Sequence, residues 1–166
     1  MNFITILNAL VANEVEFIIV GGVAARLHGS TRLTHDLDIV PKLDEVSWKN
    51  LIRSIWALDT KPRIPESKEA IENIDNVKKW ISEKNMLALS FRSPSGQAEI
   101  DLLVSESSSF EKLKARAVKI KLDQATYYVA CIDDLIEMKQ SAGRPQDLLD
   151  IEILLKIKAQ QEDSTT

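Results

Sequence analysis

The chain has 166 residues, of which 45% are hydrophobic and 28% charged, with 5 Gly and 5 Pro. That is the length of one domain with enough apolar content to bury a core, and it excludes a collagen-like, low-complexity or disordered protein. The 21 Lys and Arg against 25 Asp and Glu leave a net charge of -4, which excludes a general electrostatic pull toward polyanions.

A single cysteine, Cys131, and two histidines, His28 and His35, rule out an internal disulfide and a Cys/His zinc set, so any metal site must use carboxylates. No apolar run reaches the roughly 18 to 20 residues of a membrane span, and Met1-Asn2-Phe3 lacks the basic start of a secretory signal. A cytoplasmic chain with no membrane partner is expected. Residues 1–160 are expected to form one unit, with 161–166 as a frayed tail.

Phe3, Ile6, Leu7, Leu10 and Val11 recur at helical spacing over 3–14, and Phe17-Ile18-Ile19-Val20 is a short β-branched run stopped by Gly21-Gly22. Val23 to Leu27 is Ala-rich and helix-compatible, and Gly29 ends it. A second strand carries Leu37 and Ile39 between Asp36 and Asp38, closed by Pro41. Asp44 caps a helix to about Leu58 with Val46, Leu51, Ile52 and Ile55 on its buried side, before a helix-terminating loop from Lys61 to Pro65.

Residues 67–84 suggest one or two short helices around Ile71, Val77, Trp80 and Ile81. Met86 to Phe91 and Ala98 to Val104 read as strands of an antiparallel hairpin turned at Pro94-Ser95-Gly96. A helix from about Ser109 to Ala115 precedes strands near Val118 to Leu122 and Thr126 to Ala130. Asp133 opens a helix that Gly143 closes, and Pro145 starts the last one, with Leu148, Ile151, Leu154 and Leu155 as its apolar face. The acid-free run from Lys112 to Lys121, holding Lys112, Lys114, Arg116, Lys119 and Lys121, reads as a solvated face. Contact with phosphates is the rival reading.

The chemistry concentrates in Val20-Gly21-Gly22, then Asp36-Leu37-Asp38-Ile39 after a gap of thirteen residues, then Glu99-Ile100-Asp101-Leu102. A strand that ends in Gly-Gly and opens a helix lets backbone N–H groups approach a phosphate closely. Asp36 and Asp38 share one strand face, and Asp101 joins them if its strand lies alongside. Two carboxylates about 4 Å apart repel by roughly 4 kcal/mol at an effective dielectric near 20, so a cation should occupy the gap. Hard oxygen ligands with open positions suit Mg²⁺, and two such ions suit an in-line displacement at phosphorus.

At these residues the sequence resembles the nucleotidyltransferase superfamily that shares a DNA polymerase β-like catalytic core. The run GGVAARLHGSTRLTHDLDIV from Gly21 to Val40 is most similar to the small bacterial branch of AbiEii-type toxins and lincosamide nucleotidyltransferases. Asp134 to Lys139, followed by Gly143-Arg144-Pro145-Gln146-Asp147 and Asp150, resembles that branch too.

The resemblance implies an α/β (α+β) fold, a mixed sheet flanked by helices, that moves a nucleoside monophosphate from an NTP to a hydroxyl with Mg²⁺. Carried onto this chain, Asp36, Asp38 and Asp101 would hold the metals, with Asp101 able to act as base, and Gly21 and Gly22 would contact the triphosphate. The acceptor stays open among tRNA, a partner protein and a small molecule, and a toxin or antitoxin partner is a family expectation. The alternative is a catalytically inactive nucleotide-binding or protein-interaction module of the same fold. One departure is Val23, where many members carry Ser or Thr after the glycines; Ser30 or Thr31 is the candidate substitute.

Around this core, Arg32 is a candidate triphosphate ligand or an ion-pair partner of Asp36 or a surface acid. Lys139 either reaches the nucleotide or pairs with Glu137 or Asp150. Arg144 with Asp147 and Asp150 reads as structural, and Glu99 is the rival of Asp101 for third ligand. His35 falls on the strand face opposite Asp36, His28 caps a helix end, and Trp48, Trp56 and Trp80 read as core or groove residues.

Overall fold

A computed structural model describes residues 3–96, 98–105 and 109–163. Along the chain run α1 (Phe3–Ala12), β1 (Phe17–Ile19), α2 (Gly21–Leu27), β2 (Asp36–Pro41), α3 (Glu45–Ala57), β3 (Lys61–Pro62), α4 (Lys68–Glu72) and α5 (Ile74–Lys84). They are followed by β4 (Ala88–Arg92), β5 (Glu99–Leu103), α6 (Phe110–Arg116), β6 (Val118–Leu122), β7 (Ala125–Val129), α7 (Ile132–Ala142) and α8 (Pro145–Asp163). The strands form one mixed sheet in the order β3-β4-β5-β2-β1-β7-β6. The fold is α+β, as the interleaved strand and helix signals imply.

Local chemistry explains most boundaries. Asp44 caps α3 by accepting from the Ser47 N–H at 2.9 Å, and the helix buries Trp48, Leu51, Ile52 and Ile55. Gly143 closes α7 in the left-handed region with φ of 64°. The β4–β5 hairpin has the expected turn: Ser93 N–H donates to Ala98 O and Gly96 N–H to Ser93 O. Apolar side chains from β2 and β5, Leu37, Ile39, Ile100 and Leu102, are at most 1% exposed and anchor the core.

Four expectations need correction. Lys61-Pro62 is not only loop but a two-residue strand against Phe91 and Arg92; proline is tolerated because β3 is an edge. Val46 is 70% exposed, since α3 turns it one position off the buried stripe. In α8, Leu148 and Leu155 face solvent while Asp147 and Asp150 are buried, because cations from Arg144, Lys139 and Arg32 await those carboxylates. The helix also continues to Asp163, into the tail expected over 161–166; 164–166 lie outside the described residues.

Candidate active site

The parallel pairing of β2 with β5 sets Asp36 beside Glu99 and Asp38 beside Asp101. Facing residues on adjacent strands share a sheet face, so the three candidate aspartates and Glu99 stand together, about 5 Å apart between strands. Arg92 and Ser90 of β4, paired with Glu99 and Asp101, extend the same face.

The two rivals for third ligand have different surroundings. Glu99 is bound by Arg92, through Nε and Nη2 at 3.1 and 3.0 Å, and by Arg63 Nη1 at 3.0 and 3.1 Å. The Arg92 bond, then the Arg63 bond, hold its carboxyl below the usual range, outweighing burial. Asp101, in contrast, has a buried Oδ1 with no hydrogen-bond partner among the described residues.

Asp38 carries the heaviest electrostatic load. Burial first, then the charges of Asp101 and Asp36, push its carboxyl up to about 6, although the Gly22 N–H and Lys139 pull the other way. Asp36 is raised too, by burial and then by Asp101 and Glu99. The three aspartates are thus gathered by the backbone, and among the described residues none of them makes an ion pair, unlike Glu99.

The glycine bend is shaped around these acids. Gly21 has φ of 62°, and a Cβ there would run into the Asp38 carboxylate, coming within 2.6 Å of Cγ. Gly22 is needed for another reason: a Cβ would lie 2.8 Å from Cβ and Oγ1 of Thr34. Its N–H serves the Asp38 carboxylate. Thr34 was not apparent from the sequence, since only the folding of the 28–35 loop brings it over Gly22. Arg92 was legible in principle, because the hairpin register pairs it with Glu99.

The remaining candidates lie behind the bend. Val23 is 7% exposed in the core, and Ser30 Oγ accepts from the Arg32 N–H at 3.3 Å, so that hydroxyl ties a turn, while Thr31 is exposed. Arg32 Nη1 lies 2.7 Å from Asp150 Oδ2, not on Asp36, and Lys139 Nζ lies 2.6 Å from the same oxygen. Lys139 Nζ is also 3.6 Å from Asp147 Oδ1, and Arg144 Nε lies 2.8 Å from Asp147 Oδ2. Gly22, Ser30, Arg32, Thr34 and Asp150 line a slot of about 10 Å³, room for no more than a water.

His28 Nε2 lies 2.8 Å from Ala130 O, and His35 is exposed. Two larger cavities, about 580 Å³ beside Pro41 and Val104 and about 500 Å³ between α6 and α7, do not border the aspartates.

A family model described as "Nucleotidyltransferase of unknown function (DUF6036)" matches residues 3–158. The chain belongs to this family. Comparison with curated proteins finds no match. The matched span of this nucleotidyltransferase contains the glycine bend, all three aspartates and Asp147 and Asp150 of α8. No helix among the described residues is long and apolar enough to cross a membrane.

Asp38 and Asp101, side by side across β2 and β5, are the residues that could hold a divalent cation. Among the described residues no three carboxylate, imidazole or thiolate side chains form a group that could hold a metal ion, so Asp36, Asp38 and Asp101 do not close into the three-carboxylate set expected from the sequence. Mg²⁺ instead takes one or two carboxylates and completes its shell with water and phosphate. The unpartnered Asp101 oxygen and the raised Asp38 carboxyl are the groups such an ion would satisfy.

Proposed function

We propose that the protein transfers a nucleoside monophosphate from an NTP to a hydroxyl acceptor in a Mg²⁺-dependent reaction. The observation that carries this reading is the register of Asp38 with Asp101, with Asp36 two residues along, beside a bend where Gly21 has no room for a side chain. Asp38 and Asp101 would hold the cation, with Asp36 as the outer ligand. When bound, Mg²⁺ supplies charge neutralisation for the triphosphate and acidifies the attacking hydroxyl.

The chain's own part is to hold three acids in place before substrate arrives. Asp38 lies against the bend where Gly21 leaves no room for a side chain, and the Gly22 N–H favours its ionised form. Asp101 would also take the proton of the acceptor hydroxyl. The Arg63–Glu99–Arg92 cluster at the rim keeps Glu99 out of competition and presents two cations to an anionic substrate. Departure of pyrophosphate and retention of the nucleotide α-phosphorus on the acceptor oxygen complete the balance.

The test is incubation of the purified protein with Mg²⁺, each α-labelled NTP, and cellular RNA, protein or small-molecule fractions. Label is expected in one fraction, and Asp38→Ala or Asp101→Ala should lower the rate by about 10³-fold, in the range for removing a transition-state electrostatic partner. No transfer with any NTP, together with NTP-dependent thermal stabilisation, would select the inactive nucleotide-binding module, which the buried Val23 favours. Cytoplasmic location and a toxin or antitoxin partner remain part of this proposal.

A further inference from the structure

The sheet ends in two edges of unlike character. The β3 edge is two residues long and contains Pro62, so it offers almost no ladder to a newcomer. The β6 edge is five residues, Val118–Leu122, without proline, and it pairs only with β7. Nothing among the described residues lies against its outer side in the sheet.

Register shows which backbone groups are open. Leu122 pairs with Ala125 across a two-residue turn, Ile120 with Tyr127 and Val118 with Val129. In a hairpin closed by two residues the hydrogen-bonded pairs start at the turn and alternate, so Leu122, Ile120 and Val118 bond inward to β7. Lys119 and Lys121 therefore direct their N–H and C=O outward.

Those same two residues carry uncompensated charge. Within the basic run, Lys114 is bound to Glu16 at 2.8 Å and Arg116 to Asp134 at 3.2 Å. Lys119 and Lys121 are exposed and pair with no carboxylate among the described residues. Lys119 Nζ sits 5.4 Å from the Tyr128 ring centroid, and Lys114 covers that ring at 4.9 Å. The ring is thus screened by lysines, which leaves it poorly placed for base stacking.

We infer that the β6 edge accepts an extended acidic segment of a partner protein as an added strand, with acidic side chains at alternate positions facing Lys119 and Lys121. A second copy of the chain does not fit, because antiparallel pairing through the outward groups sets lysine against lysine. An acidic segment exchanges backbone bonds with residues 119 and 121 and places its carboxylates next to their ammonium groups. This inference is independent of the transferase reading.

The probe is a heptapeptide alternating glutamate and valine, titrated into the full-length protein. Saturable binding is expected, with slowed amide hydrogen exchange at Lys119 and Lys121 and unchanged exchange at Ile120. N-methylation of the glutamate amides should abolish it. Lys119→Glu with Lys121→Glu should weaken it about tenfold or more, and that variant should bind the corresponding lysine–valine peptide, which shows that it is folded. No saturable binding at millimolar peptide overturns the inference. So does a labelled oligouridylate that binds through the two lysines when the peptide gives no exchange protection, since the strip would then be a phosphate site.

Discussion

Two clusters of charge flank the glycine bend, and they are built on opposite terms. On the sheet, Asp36, Asp38 and Asp101 stand together with one buried oxygen unpartnered and the Asp38 carboxyl pushed up to about 6. Behind the bend, Asp147 and Asp150 are as buried as any acid in the described chain, yet Arg32, Lys139 and Arg144 neutralise them. Burial alone therefore does not mark a site. Acids held without a cation suggest a group still to bind, whereas acids held with cations tie helices α7 and α8 to the 28–35 loop.

The compensated cluster should be the costly one to break. Lys139→Met leaves Asp147 and Asp150 short of a cation in a buried setting, and unfolding by urea should show a loss of about 3–5 kcal/mol. A loss below about 1 kcal/mol would erase the distinction.

The sheet acids should behave in the opposite sense. A carboxyl raised in the folded state keeps its proton where the unfolded chain has lost it, so the stabilisation is present below the ordinary aspartate range and disappears as pH rises to about 6. Asp38→Asn should remove that slope and stabilise the metal-free protein at pH 7 by on the order of 2 kcal/mol, even as it abolishes transfer. Thermal melts of both proteins from pH 4 to 7.5 check this; a destabilised variant breaks the comparison.

The smallest effect is expected at the rim. Glu99→Gln loosens two arginines that are half exposed, and solvent screening limits the cost to under about 1 kcal/mol. Metal affinity, measured by Mg²⁺ titration, should be unchanged, because Glu99 is occupied by its arginines. A large fall in affinity would make Glu99 a ligand.

Much of this architecture could be read from residue order. The β2 alternation Asp36-Leu37-Asp38-Ile39 shows which side chains share a face, since period two is a property of the extended chain. The caps at Asp44 and Gly143 and the β4–β5 and β6–β7 hairpins follow from local turn chemistry. Failures came where an amphipathic pattern had two solutions. In α8 the leucines suggested a buried face, but Leu148 and Leu155 are exposed because ion pairing to distant cations turned Asp147 and Asp150 inward.

Local periodicity and turn propensities, then, suffice to name the elements and to pick out the acids and glycines. The different surroundings of Asp101 and Glu99, the seating of Thr34 over Gly22 and the pairing of Arg32 with Asp150 required the folded chain. The first depends on strand register and the last on partners more than a hundred residues apart, while Thr34 meets Gly22 only through the course of the loop between them. Such contacts are selected by the balance of burial against charge compensation over the whole fold, a balance that no short window of residues contains.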